Sequence, residues 1–442
     1  MAVRGRTSIG VMLVLLAAAA PVRIYGIPVL GSIAVLDVVL LLAGLVLYIE
    51  TASRRTVDIG YTPIFQLLCI PLLVTVLSAT WSQDLARTGK AVLINIEGII
   101  VYLYMVRCTN HLTMTRVLRL MRWYLVFLLV PVVLLLLKVP GFAPQEPGLP
   151  QSSGDYISYY TRLSHPFLGR SNNLATALTA LVIPLLWCGT RYRDGRSARV
   201  GALGLAAIIL TFSRGVLLAL LITAAAVILT RPMPQYGRPG RSARVGSTVF
   251  AAVSLLLVAA ALLYELNPET HLFLGDRAST VNVAERGSRF ELAYHYITER
   301  PLLGYGAGAI PGSNQQLANG VHNTYLQQLL AFGLPLGLLV IGSMLGLARF
   351  FFATDPPSPV RRILGFTLLA QLLIFVTESS FEGTVLRVLF YLSLGLAVGL
   401  VRAVEAQTPS GAEAVVSTTV GTVRTVFHER ATAISKGGTG DG

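Results

Sequence analysis

Apolar runs separated by short polar breaks recur from Ile9 to Val401, at lengths near the roughly 20 residues that carry an α-helix across hydrocarbon. The pattern predicts an all-α polytopic membrane protein with about 12 transmembrane helices. The expected spans are Ile9 to Ala20, Val29 to Tyr48, Pro63 to Ala79, Ala91 to Val106, Trp123 to Leu137 and Leu174 to Trp187. Gly201 to Phe212, Val216 to Leu229, Gly246 to Leu263, Leu326 to Leu347, Ile363 to Val376 and Val388 to Val401 complete the set. This organisation gives a transmembrane domain over residues 1–405 and a polar, small-residue-rich tail over 406–442, read as a flexible cytoplasmic extension.

Composition removes the soluble alternatives. Hydrophobic residues make up 54% and charged residues only 13%, against about a quarter charged in an ordinary soluble domain. The net charge of +14 comes almost entirely from arginine, the lysines being Lys90, Lys138 and Lys436. That excess reads as membrane topology, with lipid and not nucleic acid as its partner. Twelve passes with an inside N-terminus place 23 of the 35 basic residues on the cytoplasmic side, as the positive-inside rule requires. Arg4 and Arg6 ahead of an apolar run ending Ala18-Ala19-Ala20 also fit a signal peptide, but Pro21 argues against cleavage there. Cys69, Cys108 and Cys188 show no CxxC or Cys/His spacing, so neither a disulfide framework nor a zinc site is expected.

Two external loops are long enough to do more than connect helices: residues 139–173, and the large one between helices 9 and 10, residues 266–323. The first is rich in proline and glycine and carries Arg162, His165 and Arg170 before Asn172-Asn173-Leu-Ala. The second holds a helical pattern from Glu285 to Arg300, with Phe290, Ala293, Tyr294 and Ile297 forming a stripe that faces protein or membrane. Arg286 and Arg289, three apart, share a face of that helix, where two guanidinium groups can grip one diphosphate or meet lipid headgroups. Pro301 ends the segment, and Gly304-Tyr-Gly306-Ala-Gly308 then supplies a stretch able to flex or to approach a ligand.

Thr211-Phe212-Ser213-Arg214-Gly215 interrupts the apolar run from Gly201 to Leu229. A single span there would put one flanking arginine cluster on the wrong side, so the run crosses twice. Each half covers only roughly 20 Å of a hydrocarbon layer about 30 Å thick, which recesses Arg214 and makes it a candidate ligand group or half of a structural ion pair. At the start of the tenth span stands Val321-His322-Asn323-Thr-Tyr325-Leu-Gln-Gln. A histidine in the first turn of a helix meets the positive end of the dipole, which favours the neutral imidazole that can accept a proton. Asn323 reads equally as a helix cap. Asp37, Glu97, Glu378 and Glu382 are acids at or near membrane depth, open to structural and functional readings.

Together these residues resemble the O-antigen ligase and polymerase superfamily of integral membrane glycosyltransferases. The resemblance rests on Ser213-Arg214-Gly215, on Arg289-Phe-Glu-Leu-Ala followed by Glu299-Arg-Pro301-Leu-Leu-Gly304-Tyr-Gly306, on His322-Asn323-Thr-Tyr-Leu-Gln ahead of Phe332-Gly333, and on Arg162 to Ala175. One departure is Ser171, where many members carry a proline. The resemblance implies transfer of a glycan from a polyprenyl-diphosphate carrier to an acceptor hydroxyl. It places the reaction on the outward face of a bacterial inner membrane.

By position, Arg214 and Arg289 would hold the diphosphate and His322 would sit at the reacting acceptor; Arg286 joins them on spacing alone, and Arg162, Arg170, Asn323 and Tyr325 complete the expected substrate set. No metal and no cofactor is implied, because guanidinium groups can neutralise a diphosphate leaving group and the chain holds no Asp-x-Asp motif. The partners expected are a polyprenyl-diphosphate-linked glycan donor and a lipid-anchored or glycan acceptor, which distinguishes ligase from polymerase. A flippase is the rival from another class, but neither repeated halves nor broken midplane helices are evident in the sequence.

Overall fold

The computed structural model describes residues 23–27, 31–34, 58–110, 112–137, 171–211, 213–230, 281–308, 321–353, 358–377 and 384–406, with isolated positions between 38 and 49. Helices dominate. They are α1 (Thr62–Ser78), α2 (Leu85–Thr109), α3 (Met114–Leu136), α4 (Ser171–Arg191), α5 (Gly195–Leu210), α6 (Arg214–Leu229), α7 (Val281–Glu299), α8 (Thr324–Phe352), α9 (Pro359–Phe375) and α10 (Thr384–Glu405). Polar caps fix several starts: Asp84 accepts from Arg87 N at 2.9 Å ahead of α2, and Asp194 from Arg196 N and Ser197 N ahead of α5. Proline lies in the first turn of α1 and α9, where its missing N–H costs nothing.

Five of these helices, α2, α3, α4, α8 and α10, are long and apolar enough to cross a membrane, and α1 and α6 are shorter apolar helices. This is an integral membrane protein. Helices occupy nine of the twelve expected spans. The expected spans at Ile9–Ala20 and Gly246–Leu263, the loop 139–170 and the tail beyond 406 lie outside the described residues. The second expected span needs correction at its start, because β2 (Gly31–Ala34) pairs antiparallel with β1 (Arg23–Ile27), Ile24 opposite Ile33 and Tyr25 opposite Ser32. Hydropathy cannot separate a strand from a span there; the β-branched and aromatic residues around Pro28 and Gly31 favour the hairpin.

Glycines set how closely the helices pack. A β-carbon at Gly98 of α2 would stand 2.5 Å from the Tyr391 ring of α10, and one at Gly395 of α10 would stand 2.6 Å from Met105. Small residues let membrane helices approach this closely where no hydrophobic drive separates helix from lipid. α9 is the centre of the bundle. It touches α4, α6, α8 and α10, and most of its residues, from Val360 to Phe375, are buried, as expected of a helix apolar all round.

One end of the bundle is closed by charge. Arg402 of α10 binds both carboxylate oxygens of Asp58 at 2.9 and 2.8 Å and donates to Gly60 O at 2.7 Å. Glu405 accepts from Arg361 Nε and from the Tyr61 hydroxyl, each at 2.6 Å. Burial and the neighbouring Glu405 carboxylate push the Tyr61 phenol up to about 12. Arg122 and Asp194 pair near the starts of α3 and α5 at 3.2 Å, and Arg362 donates to Thr230 O where α6 ends.

α8 contains a break the sequence reading did not anticipate. Gly333 adopts φ 71° and ψ −179° inside it, a conformation open essentially to glycine alone. Both broken ends are satisfied by the segment after α7: Tyr305 N donates to Leu330 O at 3.1 Å, Gly306 N to Ala331 O at 2.8 Å, and Leu334 N to Pro301 O at 2.7 Å. Irregular backbone at membrane depth persists only where protein or trapped water satisfies it, and here protein does.

Candidate functional site

The end of the bundle opposite Asp58 is built on the last turn of α9. The apolar run from Gly201 to Leu229 divides, with α5 stopping at Leu210 and α6 starting at Arg214. Thr211 Oγ1 turns back to Ile208 O at 2.6 Å and accepts from Ser213 N at 3.3 Å, so its hydroxyl completes the turn. Ser213 is buried, and its hydroxyl makes no hydrogen bond among the described residues. Arg214 itself is exposed. Gly215 lies flush against Thr377, just past the end of α9: any β-carbon there would overlap the threonine side chain.

The same Thr377 receives α7. Arg286 Nη1 donates to its carbonyl at 3.2 Å, where the negative end of the α9 dipole favours a cation. Arg289 is half-buried one turn along α7. The α7 stripe lies on protein: Phe290, Ala293 and Ile297 pack against Tyr305, Val321 and Leu330. Tyr294, expected in that stripe, is 66% exposed. Tyr296, on the other flank of the stripe, packs against the cluster instead.

The histidine segment reaches α9 as well. Tyr325 donates its hydroxyl to Leu372 O at 2.7 Å, about a turn and a half before Thr377. Asn323 is the N-cap of α8, its side chain accepting from Tyr325 N at 2.9 Å and Leu326 N at 3.0 Å. His322 therefore stands one residue outside the helix and not in its first turn. It is half-buried with φ 56°, a left-handed conformation uncommon for a residue with a β-carbon and worth roughly 1 kcal/mol or more of strain.

The structure thus gathers Arg214, Arg286, Tyr325 and their neighbours at one end of α9, with His322 and Asn323 at the start of α8. Arg162, Arg170, Asp37, Glu378 and Glu382 lie outside the described residues, while Ser171-Asn172-Asn173 open α4. Glu97 is fully buried in α2, beside the glycine on which Tyr391 packs.

Residues 200–341, roughly a third of the chain, match the family model described as O-Antigen ligase. That match supports the resemblance to the O-antigen ligase and polymerase superfamily. No curated protein matches its sequence. The family match covers Arg214, Arg286, Arg289, His322, Asn323 and Tyr325 and stops short of Arg162 and Arg170.

Two features of the matched region escaped sequence reasoning. The glycine stretch is not an open loop: Gly304, Tyr305, Gly306 and Ala307 are buried, threaded between the α8 break and the α1–α2 turn. Ala307 N donates to Ser78 Oγ at 3.3 Å and Ala307 O accepts from Thr88 Oγ1 at 2.8 Å. Positive φ at Gly304 and Gly306 serves close approach to protein backbone and to Ser82. The second is a surface network in which Glu299 accepts from the Tyr305 hydroxyl at 2.7 Å and contacts His295 Nε2 at 3.1 Å. Arg300 covers the Tyr305 ring at 4.8 Å. Burial, then the Glu299 carboxylate, pushes the Tyr305 phenol up to about 12. The i, i+4 spacing of His295 and Glu299 was the available signal.

Proposed function

We propose that the protein transfers a glycan, on the outward face of the bacterial inner membrane, from a polyprenyl-diphosphate carrier to an acceptor hydroxyl. The observation that carries this reading is the convergence of Gly215, Arg286 and Tyr325 on the last turns of α9, which brings three segments distant in sequence to one end of the bundle. Membrane-crossing helices and the O-Antigen ligase match supply its setting.

In the proposed reaction His322 takes the acceptor hydroxyl proton while that oxygen attacks the anomeric carbon. The bond from the anomeric carbon to the diphosphate oxygen breaks, and polyprenyl diphosphate leaves with the electron pair. Arg214, Arg289 and Arg286 neutralise the charge gathering on the diphosphate, the role a metal ion fills in other transferases. Arg286 already donates to Thr377 O, and a guanidinium has further N–H groups in its planar fork. Arg162 and Arg170 are proposed to reach the donor from the loop before α4. Asn323 and Tyr325 act by holding the His322 segment. A ligase acceptor is favoured over a growing polymer by the His-Asn-x-Tyr-Leu-Gln pattern.

The break in α8 gives a flippase no support, because both its ends are bonded to the chain's own backbone. The test supplies labelled polyprenyl-diphosphate glycan and a membrane extract of acceptors to detergent-purified protein. Micelles have no sides, so a flippase gives no signal there. The proposal predicts release of polyprenyl diphosphate together with a shifted acceptor band, whose identity separates ligase from polymerase. Confirmed donor binding with neither product would overturn it.

A further inference from the structure

We infer that the elbow Pro301-Leu302-Leu303, between α7 and the buried glycine segment, is a wedge seated among the acyl chains of the membrane leaflet at the Thr377 end. These three residues are exposed, Leu302 at 70% and Leu303 at 50%. They interrupt a stretch that is otherwise polar before them and buried after them. Their occupant follows from what they continue. Pro301 O accepts from Leu334 N at 2.7 Å, and the backbone of Leu302 and Leu303 lies against Gly333, so the elbow sits at the depth of the α8 break. Leu334 and Leu338, just below, are 42% and 57% exposed on a helix long and apolar enough to span a membrane. The elbow extends that apolar face sideways.

Depth and backbone chemistry agree. α8 has 29 residues, roughly 43 Å of helix against about 30 Å of hydrocarbon, so a break nine residues in falls near the boundary of the layer. Proline brings no N–H to that position, and Gly304 N returns to Arg300 O at 3.1 Å, which spares the elbow two of the donors its backbone would otherwise present to lipid. Arg300, Glu299 and His295, at the end of α7, then lie at headgroup height, where a polar rim beside an apolar anchor is expected. α7 is thereby held at two points, by Arg286 on Thr377 and by the elbow in the leaflet, which fixes the height of Arg289 above the acyl chains. The wedge rests on the chain spanning a membrane and not on the proposed transfer.

The test places a nitroxide on the full-length chain in lipid nanodiscs, with Cys69, Cys108 and Cys188 replaced by alanine and Leu302→Cys, Leu303→Cys or Thr298→Cys added singly. Collision with oxygen, which concentrates in acyl chains, is compared with collision with a water-soluble nickel chelate. The wedge predicts a several-fold preference for oxygen at 302 and 303 and the reverse at 298, an exposed position on the polar side of α7. Nickel access at 302 and 303 equal to that at 298 would overturn it, as would spin–spin coupling between labels showing that a second copy of the chain covers the elbow. Should labelling at these sites spoil the monodisperse preparation, the emission that Leu302→Trp adds to the wild-type spectrum is read instead. Quenching by brominated acyl chains supports the wedge, and quenching only by aqueous iodide overturns it.

Discussion

The two ends of the bundle are made by different means. At the Asp58 end, arginines meet carboxylates: Arg402 on Asp58 at 2.8 Å, Arg361 on Glu405 at 2.6 Å, Arg122 on Asp194 at 3.2 Å. At the Thr377 end the contacts run through backbone and glycine: Arg286 on a carbonyl, Gly215 against Thr377, Tyr325 on Leu372 O, and the Gly304–Gly306 strip along α8. Ion pairs hold helices together at the first end and neutralise each other in doing so. The second end fixes its helices through backbone carbonyls and close glycine contacts, and Arg214, Arg289 and His322 stand there. On the proposed function, the charges of one end serve stability and those of the other serve the transfer.

Substitutions should separate the two ends. The largest expected effect is Arg214→Ala, with transfer falling about a hundredfold or more, the scale of one lost charge-stabilising donor, while the melting temperature in detergent stays near that of the wild type. Next comes Gly215→Ala, whose β-carbon overlaps Thr377; overpacking at about 1–3 kcal/mol should displace α6 and lower transfer, and Thr377→Ala in the same chain should restore part of both stability and rate. Melting and initial-rate measurements on the single and double variants check this.

At the other end Arg402→Ala should cost about 1–3 kcal/mol of stability through its lost charge-assisted hydrogen bonds, with the rate per folded molecule unchanged. A fall in that rate comparable to Arg214→Ala would erase the distinction between the ends. The smallest effect is Asp194→Ala, about 1 kcal/mol for a lost N-cap. Burial raises the Asp194 carboxyl, but hydrogen bonds from Ser197, the Arg122 charge and the Arg196 N–H outweigh it and hold it below the usual carboxylate range. A depressed folded-state pKa contributes stability above the unfolded value that disappears as pH falls through the folded one. The wild-type advantage over Asp194→Ala should therefore be full near neutrality and shrink only at acid pH below about 4, read by melting curves across pH.

Legibility followed the same division. Apolar periodicity and the placement of arginine were enough for the helices and for the division at Thr211–Arg214, because each depends on local composition. Four of the arginines expected inside, Arg122, Arg361, Arg362 and Arg402, make contacts at the Asp58 end. Asn323 reads as a cap from its type and position alone. Tertiary features stayed hidden. Leu372 and Thr377 carry no chemical signature, yet three segments meet on them. Nothing local shows that Gly304–Gly306 will be buried, that Tyr294 will face outward, or that α8 will break at Gly333 around a strand-like partner from after α7. The left-handed backbone at His322 is equally invisible, since histidine does not announce a positive φ as glycine does.

That backbone also offers the cleanest probe of the central claim. Asparagine tolerates the left-handed region, so His322→Asn keeps the turn before Asn323 and removes only the imidazole base. Release of polyprenyl diphosphate by this variant, beside wild type in the same micelles with labelled donor and acceptor, is the measurement to make. The account predicts a loss of about a hundredfold or more, the scale of general base catalysis, with donor binding retained; turnover within a few-fold of wild type would contradict it and remove His322 from the chemistry.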